Sequence, residues 1–429
     1  MDLNIFLFLG AIFLLTYLIG MLIEKIHIPW IFAALILGFV LAIYNPFSSI
    51  TSSSTFDFLS QLGMYFLLFI IGFEIDLKQM KKMGKLIIKS TILTILFATI
   101  FGALLIYFIF RVNLFVSIII SLSFATVGEE ILIPILDEFD LTNKPLGQSI
   151  IGVGSLDDII EIISLIFVII LVGSNSPQGD FNIWVIIIAL SILFLLTIGL
   201  MKLKKRRRRF KHTGVEALFV FVIFVLFLFI GIGIFAEAAP LAALFAGIGL
   251  RTFLPKERLE AIESETKTVC YGFFAPIFFL MVGVSMDLKY LIAFPILIIL
   301  VVLISIGAKI LAGYLSGKKD LGKKDSVLLG IGLSVKFSTS IVIFLIFLQN
   351  NLISPGLYSV LIASSMIFAF LIPILFSTLL SGWALLMRVG LLLGEQGLAL
   401  IYMGVAGISI NTILMVLNLL PPLSKILEV

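Results

Sequence analysis

Charge is what this sequence has least of. Only 13% of its 429 residues are Asp, Glu, Lys or Arg, against 61% hydrophobic, and the mean hydropathy is +1.26. That balance excludes an ordinary soluble globular chain, in which about a quarter of residues are charged. Cysteine occurs once, as Cys270. This excludes a disulfide framework and a thiolate metal site and leaves a small packing residue. Histidine occurs twice, as His27 and His212; both flank apolar segments, where an ordinary interfacial polar role is favoured over pH sensing. No phosphate loop, nucleophile elbow or metal cluster is present, so no enzyme chemistry and no cofactor are expected.

What fills the space is long apolar runs. A hydrocarbon core of roughly 30 Å takes about 20 helical residues, and thirteen candidate spans lie near residues 3–24, 28–45, 59–75, 86–110, 113–138, 145–173, 182–203, 215–237, 240–254, 268–286, 288–316, 325–349 and 356–381. The first is longer than a signal-peptide core and no Lys or Arg precedes it, so it is expected to be retained. Residues 382–429 form a further apolar tail whose placement the pattern leaves open. The expected fold is an all-α polytopic membrane protein.

Basic residues fall in alternate loops. Lys25, the group Lys78 to Lys89, Lys144, the run Lys202 to Lys211, the group Arg251 to Lys267 and the group Lys318 to Lys324 make up 23 of the 29. All follow odd-numbered spans, which puts those loops in the cytoplasm and the N-terminus outside. The run Lys204 to Arg209 is read as a topology anchor rather than a nucleic-acid contact.

The chain also repeats itself. Gly72-Phe73-Glu74-Ile75-Asp76-Leu77 returns as Gly283-Val284-Ser285-Met286-Asp287-Leu288, an offset of 211 residues, and Pro29 and Gly38 map to Pro240 and Gly249 at the same offset. Copy one covers spans 1 to 6 and copy two spans 8 to 13, and the odd span between them inverts the second copy. Two polar breaks stand at matching depth: Ser121 to Glu130 in span 5 and Ser334 to Ser340 in span 12. Interrupted helices there expose carbonyl oxygens to a cation and leave helix ends that need compensating charge.

Span 6 carries an acidic stripe. At about 100° per residue, Asp157, Glu161 and Asp158 fall at about 0°, 40° and 100°, with Ser164 close to the same face. Each midplane carboxylate costs about 2.5–3.5 kcal/mol, so three on one span require a partner or a hydrated cavity. Closely spaced carboxylates in such a cavity bind protons and a small hard cation in competition. Two lysines also lie in apolar spans: Lys309, expected to pair with Asp157, and Lys336, expected to neutralise helix ends or to pair with Glu129 or Glu130. In the repeat, Asp157 and Asp158 map onto Phe368 and Ala369, and Lys309 onto Ala98, so one copy alone holds an ion. Adjacent aspartates on one helix cannot face each other across a scissile bond as an intramembrane protease requires, and paired helix breaks suit alternating access better than a pore.

Leu68 to Leu77, Gly272-Phe273-Phe274-Ala275-Pro276-Ile277-Phe278-Phe279 with Gly283 and Asp287, and the Asp157-Asp158 pair together resemble the cation/proton antiporters of the NhaA and NapA type. The resemblance spans residues 1 to about 381 and implies a thirteen-span homodimer in the cytoplasmic membrane, working by an elevator motion. It implies a scaffold of residues 1–85 and 213–287, a moving core of 86–174 and 288–381, and a linker of 182–212. It implies exchange of Na+ or Li+ for H+, with Asp158 as principal cation ligand, Asp157 as proton carrier beside Lys309, and Thr126 as a ligand from the first break. Paired aspartates imply electrogenic exchange; K+/H+ exchange is the alternative. Lys336 and Ser338 depart from the Arg and Glu of many relatives, and Glu129, Glu130 and Glu161 add acidity beyond the pattern.

Overall fold

A computed structural model describes residues 4–24, 29–74, 84–128, 132–174, 183–202, 214–235, 238–336 and 338–380. Regular structure among the described residues is helical. In chain order the elements are α1 (Ile5–Glu24), α2 (Phe32–Ile43), α3 (Ser48–Thr51), α4 (Ser54–Glu74), α5 (Lys85–Phe110), α6 (Leu114–Ala125), α7 (Ile133–Glu138), α8 (Pro145–Ser174) and α9 (Ile183–Lys202). There follow α10 (Val215–Ile234), α11 (Ala239–Phe253), α12 (Lys256–Val269), a π-helical turn (Cys270–Phe274), α13 (Ala275–Val284), α14 (Leu288–Ala293), α15 (Pro295–Gly317), α16 (Gly322–Gly332) and α17 (Ser338–Gln349). The last is α18 (Pro355–Leu380). Residues 1–373 form one compact unit, and residues 374–429 a second, of which only the helical stretch 374–380 is described.

Among the described residues, seven helical stretches are long and apolar enough to cross a bilayer: Ile5–Glu24, Ser54–Glu74, Lys85–Phe110, Val215–Ile234, Arg258–Val284, Pro295–Gly317 and Pro355–Leu380. The thirteen expected spans also include α2, α6 and α11, which run for 12, 12 and 15 residues and fall short of the ~20 that a perpendicular crossing needs. The stretch expected to begin near residue 268 instead continues backward as the polar helix Lys256–Val269, which a hydropathy reading cannot extend into. Only 28% of the apolar stretch in α1 and in α5 is buried, and Phe6, Leu7 and Phe108 are exposed. An outward face so apolar is stable only against lipid or another apolar surface.

Two close helix crossings organise one part of the molecule. α4 lies against α11 and α2 against α13. At the first, a Cβ on Gly72 would sit 2.1 Å from the Leu244 carbonyl oxygen, and one on Gly247 would sit 2.2 Å from that of Phe69. At the second, a Cβ on Gly38 would sit 2.2 Å from the Leu280 carbonyl oxygen and one on Gly283 2.4 Å from that of Leu35. Backbones approach this closely only where neither helix has a side chain, and the gain is dispersion and weak Cα–H contacts. The residue paired with Gly72 is Gly247, whereas Gly249, the position equivalent to Gly38 at the 211-residue offset, faces Leu200 and Thr197 of α9. The physical reason is that Pro240 lies inside the first turn of its helix while Pro29 precedes Phe32, the start of α2. The 211-residue offset therefore does not hold along the whole helix.

The repeated motif has structural work to do. The Asp287 carboxylate accepts from the Tyr290 N–H at 3.1 Å and caps α14, while the Asp287 N–H donates to Ser359 Oγ at 2.6 Å. Phe274 in the π turn stacks on Phe66 of α4 with centroids 4.4 Å apart. At the C-terminal end of α4, Arg251 Nη1 donates to the Phe73 carbonyl at 2.8 Å, and Lys267 bridges Glu74 and Glu263 at 2.7 and 2.9 Å. Cations at that terminus suit the partial negative charge of its carbonyls. The rest of the described bundle is built on α5, α6, α8, α15, α16 and α17. In it α5 packs on α6, α15 and α8, α15 packs on α16, and α8 reaches α16 and α17.

Candidate ion site

α6 ends at Ala125 and α16 at Gly332, both deep inside the bundle, and non-helical backbone follows each, at residues 126–128 and, after a turn, at 335–336. The two breaks meet directly, for the Gly128 N–H donates to the Val335 carbonyl at 3.0 Å. Unwinding here leaves carbonyls at the ends of α6 and α16 without helical donors. Two buried lysines answer them. Lys309 Nζ, from the middle of α15, donates to the Thr126 carbonyl at 3.1 Å and to the Leu333 carbonyl at 2.5 Å. Lys336 Nζ, from the second break, donates to the Phe124 carbonyl and, at 3.1 Å, to that of Thr126. Each lysine is at least 99% buried. Lys336 also rests over the rings of Phe124 and Phe368, 4.7 and 5.9 Å from their centroids, where the ring faces attract a cation.

Asp157 stands beside the first break, on α8. It is 1% exposed, and neither carboxylate oxygen accepts a hydrogen bond from any described residue. Lys309 and Lys336 act on it through space, and the Val127 N–H approaches without reaching hydrogen-bond geometry. Lys309 thus spends its donors on main-chain oxygens and is a Coulombic neighbour of Asp157 rather than its hydrogen-bond partner. Further along the same face, Ser164 is fully buried and its hydroxyl also has no partner among the described residues.

The remaining expected site residues fall out as follows. Thr126 is buried; its hydroxyl donates to the Ser123 carbonyl at 3.0 Å, which leaves the oxygen lone pairs free to accept, while its own carbonyl is the one both lysines share. Asp158 and Glu161 lie on helix α8, next to Asp157 and one turn after it; their side chains are outside the described residues. Glu129 and Glu130 are outside them altogether, as are His27, His212, the basic run and residues 381–429. Sequence reasoning did not find the shared Thr126 carbonyl or the Phe124 and Phe368 rings under Lys336. An offset of 211 does place Phe368 opposite Asp157, but a phenylalanine in an apolar span gives no sign of a cation above it.

A profile described as the sodium/hydrogen exchanger, transmembrane, matches residues 10–382. A Na(+)/H(+) antiporter of Enterococcus hirae is 25% identical over 75% of this chain and 82% of that protein. The Na(+)/H(+) antiporter NhaS4 of a Synechocystis species is 25% identical over 85% of this chain and 93% of that protein. A probable Na(+)/H(+) antiporter of Methanocaldococcus jannaschii is 32% identical over 32% of this chain and 34% of that protein. Among solved structures, the sodium proton antiporter MjNhaP1 from the same archaeon superposes with a TM-score of 0.65 at 17% identity, covering 86% of this chain and 98% of that one.

Proposed function

This chain belongs to the sodium/hydrogen exchanger family, and on that premise we propose that it exchanges Na+ for H+ across the cytoplasmic membrane, using Asp157 and Asp158 as the groups that hold the two ions in turn. The observation that carries this reading is the Asp157 carboxylate, with both oxygens buried and without a hydrogen bond from a described residue. Such a carboxylate costs several kcal/mol unless something binds it. A proton or a small cation supplies the missing partner, and whichever arrives displaces the other. The names borne by the relatives from Enterococcus hirae and Synechocystis point to the same ion pair.

In this reading Asp158 is the principal Na+ ligand, joined by the Thr126 hydroxyl oxygen from the first break and by Glu161, three residues further along α8. Asp157 carries the proton. Lys309 balances its charge and, by capping the ends of both α6 and α16, ties the state of the carboxylate to the position of the broken helices. Lys336 holds the first break together, and Glu129 and Glu130 are its charge partners. Paired aspartates make the exchange electrogenic, and Li+ follows Na+ through the same oxygens. Nothing in the chain or its relatives favours K+.

The packing pattern supports an elevator arrangement. Helices α1, α2 and α4 with α10 to α13 form a scaffold, spans 1 to 3 and 8 to 10 of a thirteen-span inverted repeat, and α5 to α8 with α15 to α18 form the moving core. The N-terminus lies outside and two copies associate through the scaffold. Everted membrane vesicles test the site: Asp158→Asn abolishes sodium-driven proton movement while the protein still purifies as a folded dimer. Normal exchange by that variant removes Asp158 from the mechanism.

A further inference from the structure

Most hydroxyls within these helices bond back to a carbonyl one turn earlier, as Ser117, Ser123 and Ser364 do at 2.9, 3.0 and 2.7 Å. Ser121 and Ser305 do not. Their hydroxyl oxygens are buried and have no partner among the described residues, an arrangement that costs about 1–3 kcal/mol each if nothing else supplies one. Both line a single cavity, on α6 and α15, together with Ala98, Gly102, Phe124 and Leu361. It offers about 20 Å³ to the centre of a water molecule, and one water needs roughly 10–15 Å³ on that measure.

The lining decides what fits. None of the lining residues is charged, and two hydroxyl oxygens are far from the six or so that a dehydrated hard cation requires. A second transported ion is therefore excluded on coordination alone. A wholly apolar cavity stays dry, whereas two hydroxyls on one cavity are the least that holds an ordered water. In the 211-residue register, Ala98 stands where Lys309 does in the other copy and Gly102 where Gly313 does. One half thus fills this position with a lysine that caps helix ends; the other leaves room beside Phe124, whose carbonyl already accepts from Lys336.

We infer that this cavity is a binding site for one ordered water, bridging Ser121 Oγ of the first half to Ser305 Oγ of the second and distinct from the ion site at Asp157. A double-mutant cycle on the full-length purified protein reads it. Ser121→Ala and Ser305→Ala share one bridge, so the melting-temperature shift of the double variant differs from the sum of the single shifts by roughly 2 °C. Radiolytic hydroxyl-radical footprinting gives an independent reading: Leu105 and Ile106, buried beside the cavity, are oxidised in the parent protein and protected in the double variant. Additive shifts, or footprints at Leu105 and Ile106 that are absent from the parent or unchanged in the double variant, overturn the inference. Both readouts are independent of transport, so a failure here leaves the exchange mechanism untouched.

Discussion

A buried ammonium group in an apolar bundle is tolerated only where it completes something else. Lys309 completes two helix ends at once, through the Thr126 and Leu333 carbonyls. Truncating it strands those oxygens and removes the balancing charge from Asp157. Lys309→Ala is therefore expected to destabilise the protein by about 2–4 kcal/mol, read as a lower melting temperature in detergent; an unchanged melting temperature would rule out the capping role. Lys336→Ala loses its carbonyl contacts and its ring contacts, so a similar loss is expected, whereas Lys336→Arg keeps the charge and the ring attraction and recovers part of it. Asp157, Thr126, Lys309 and Lys336 were legible in the sequence because each is a polar group inside an apolar run, where it needs a reason to be. Their partners were not. A main-chain carbonyl 183 residues away from Lys309 leaves no mark on composition or spacing, and so the expected carboxylate partner hid the carbonyl ones.

Helices meet here through absent side chains. Gly72 and Gly247 on one crossing and Gly38 and Gly283 on the other leave no room for a Cβ, the nearest atoms being rigid backbone. Gly72→Val is expected to force the crossing apart and cost about 3 kcal/mol or more. Gly10→Val, at an open position on α1, is expected to change little. Equal thermal stability of the two variants would show that α4 and α11 do not depend on close contact. The return of Gly72 as Gly283 was legible in the sequence as a repeat, but not that each glycine marks a close crossing. The two-residue shift that makes Gly247 the partner was hidden, because it depends on where a helix begins relative to its proline. The polar helix Lys256–Val269 and the π turn after it were hidden too, for a search for wholly apolar spans passes over a helix whose apolar residues are confined to one face.

At the scale of the whole molecule, the proposed exchange puts two ions on one site and so makes their concentrations interchangeable. On that proposal protons compete with Na+ for the same carboxylates, so lowering the pH is expected to raise the apparent KM for Na+, by up to ~10-fold per pH unit where a single proton competes. A KM independent of pH, with only the maximal rate changing, would separate the proton site from the sodium site. The two breaks were readable from one chain because each is a polar interruption of an apolar run. How the breaks touch, through Gly128 and Val335, depends on the fold bringing together segments some two hundred residues apart. The most direct test of exchange at the aspartate pair is reconstitution of the purified protein into liposomes carrying a pH-sensitive dye, challenged in turn with Na+, Li+, K+ and Rb+. Rapid proton efflux with Na+ and Li+, none with K+ or Rb+, and none at all in the Asp157→Asn/Asp158→Asn double variant are the predicted results. Undiminished efflux in that double variant would contradict the account.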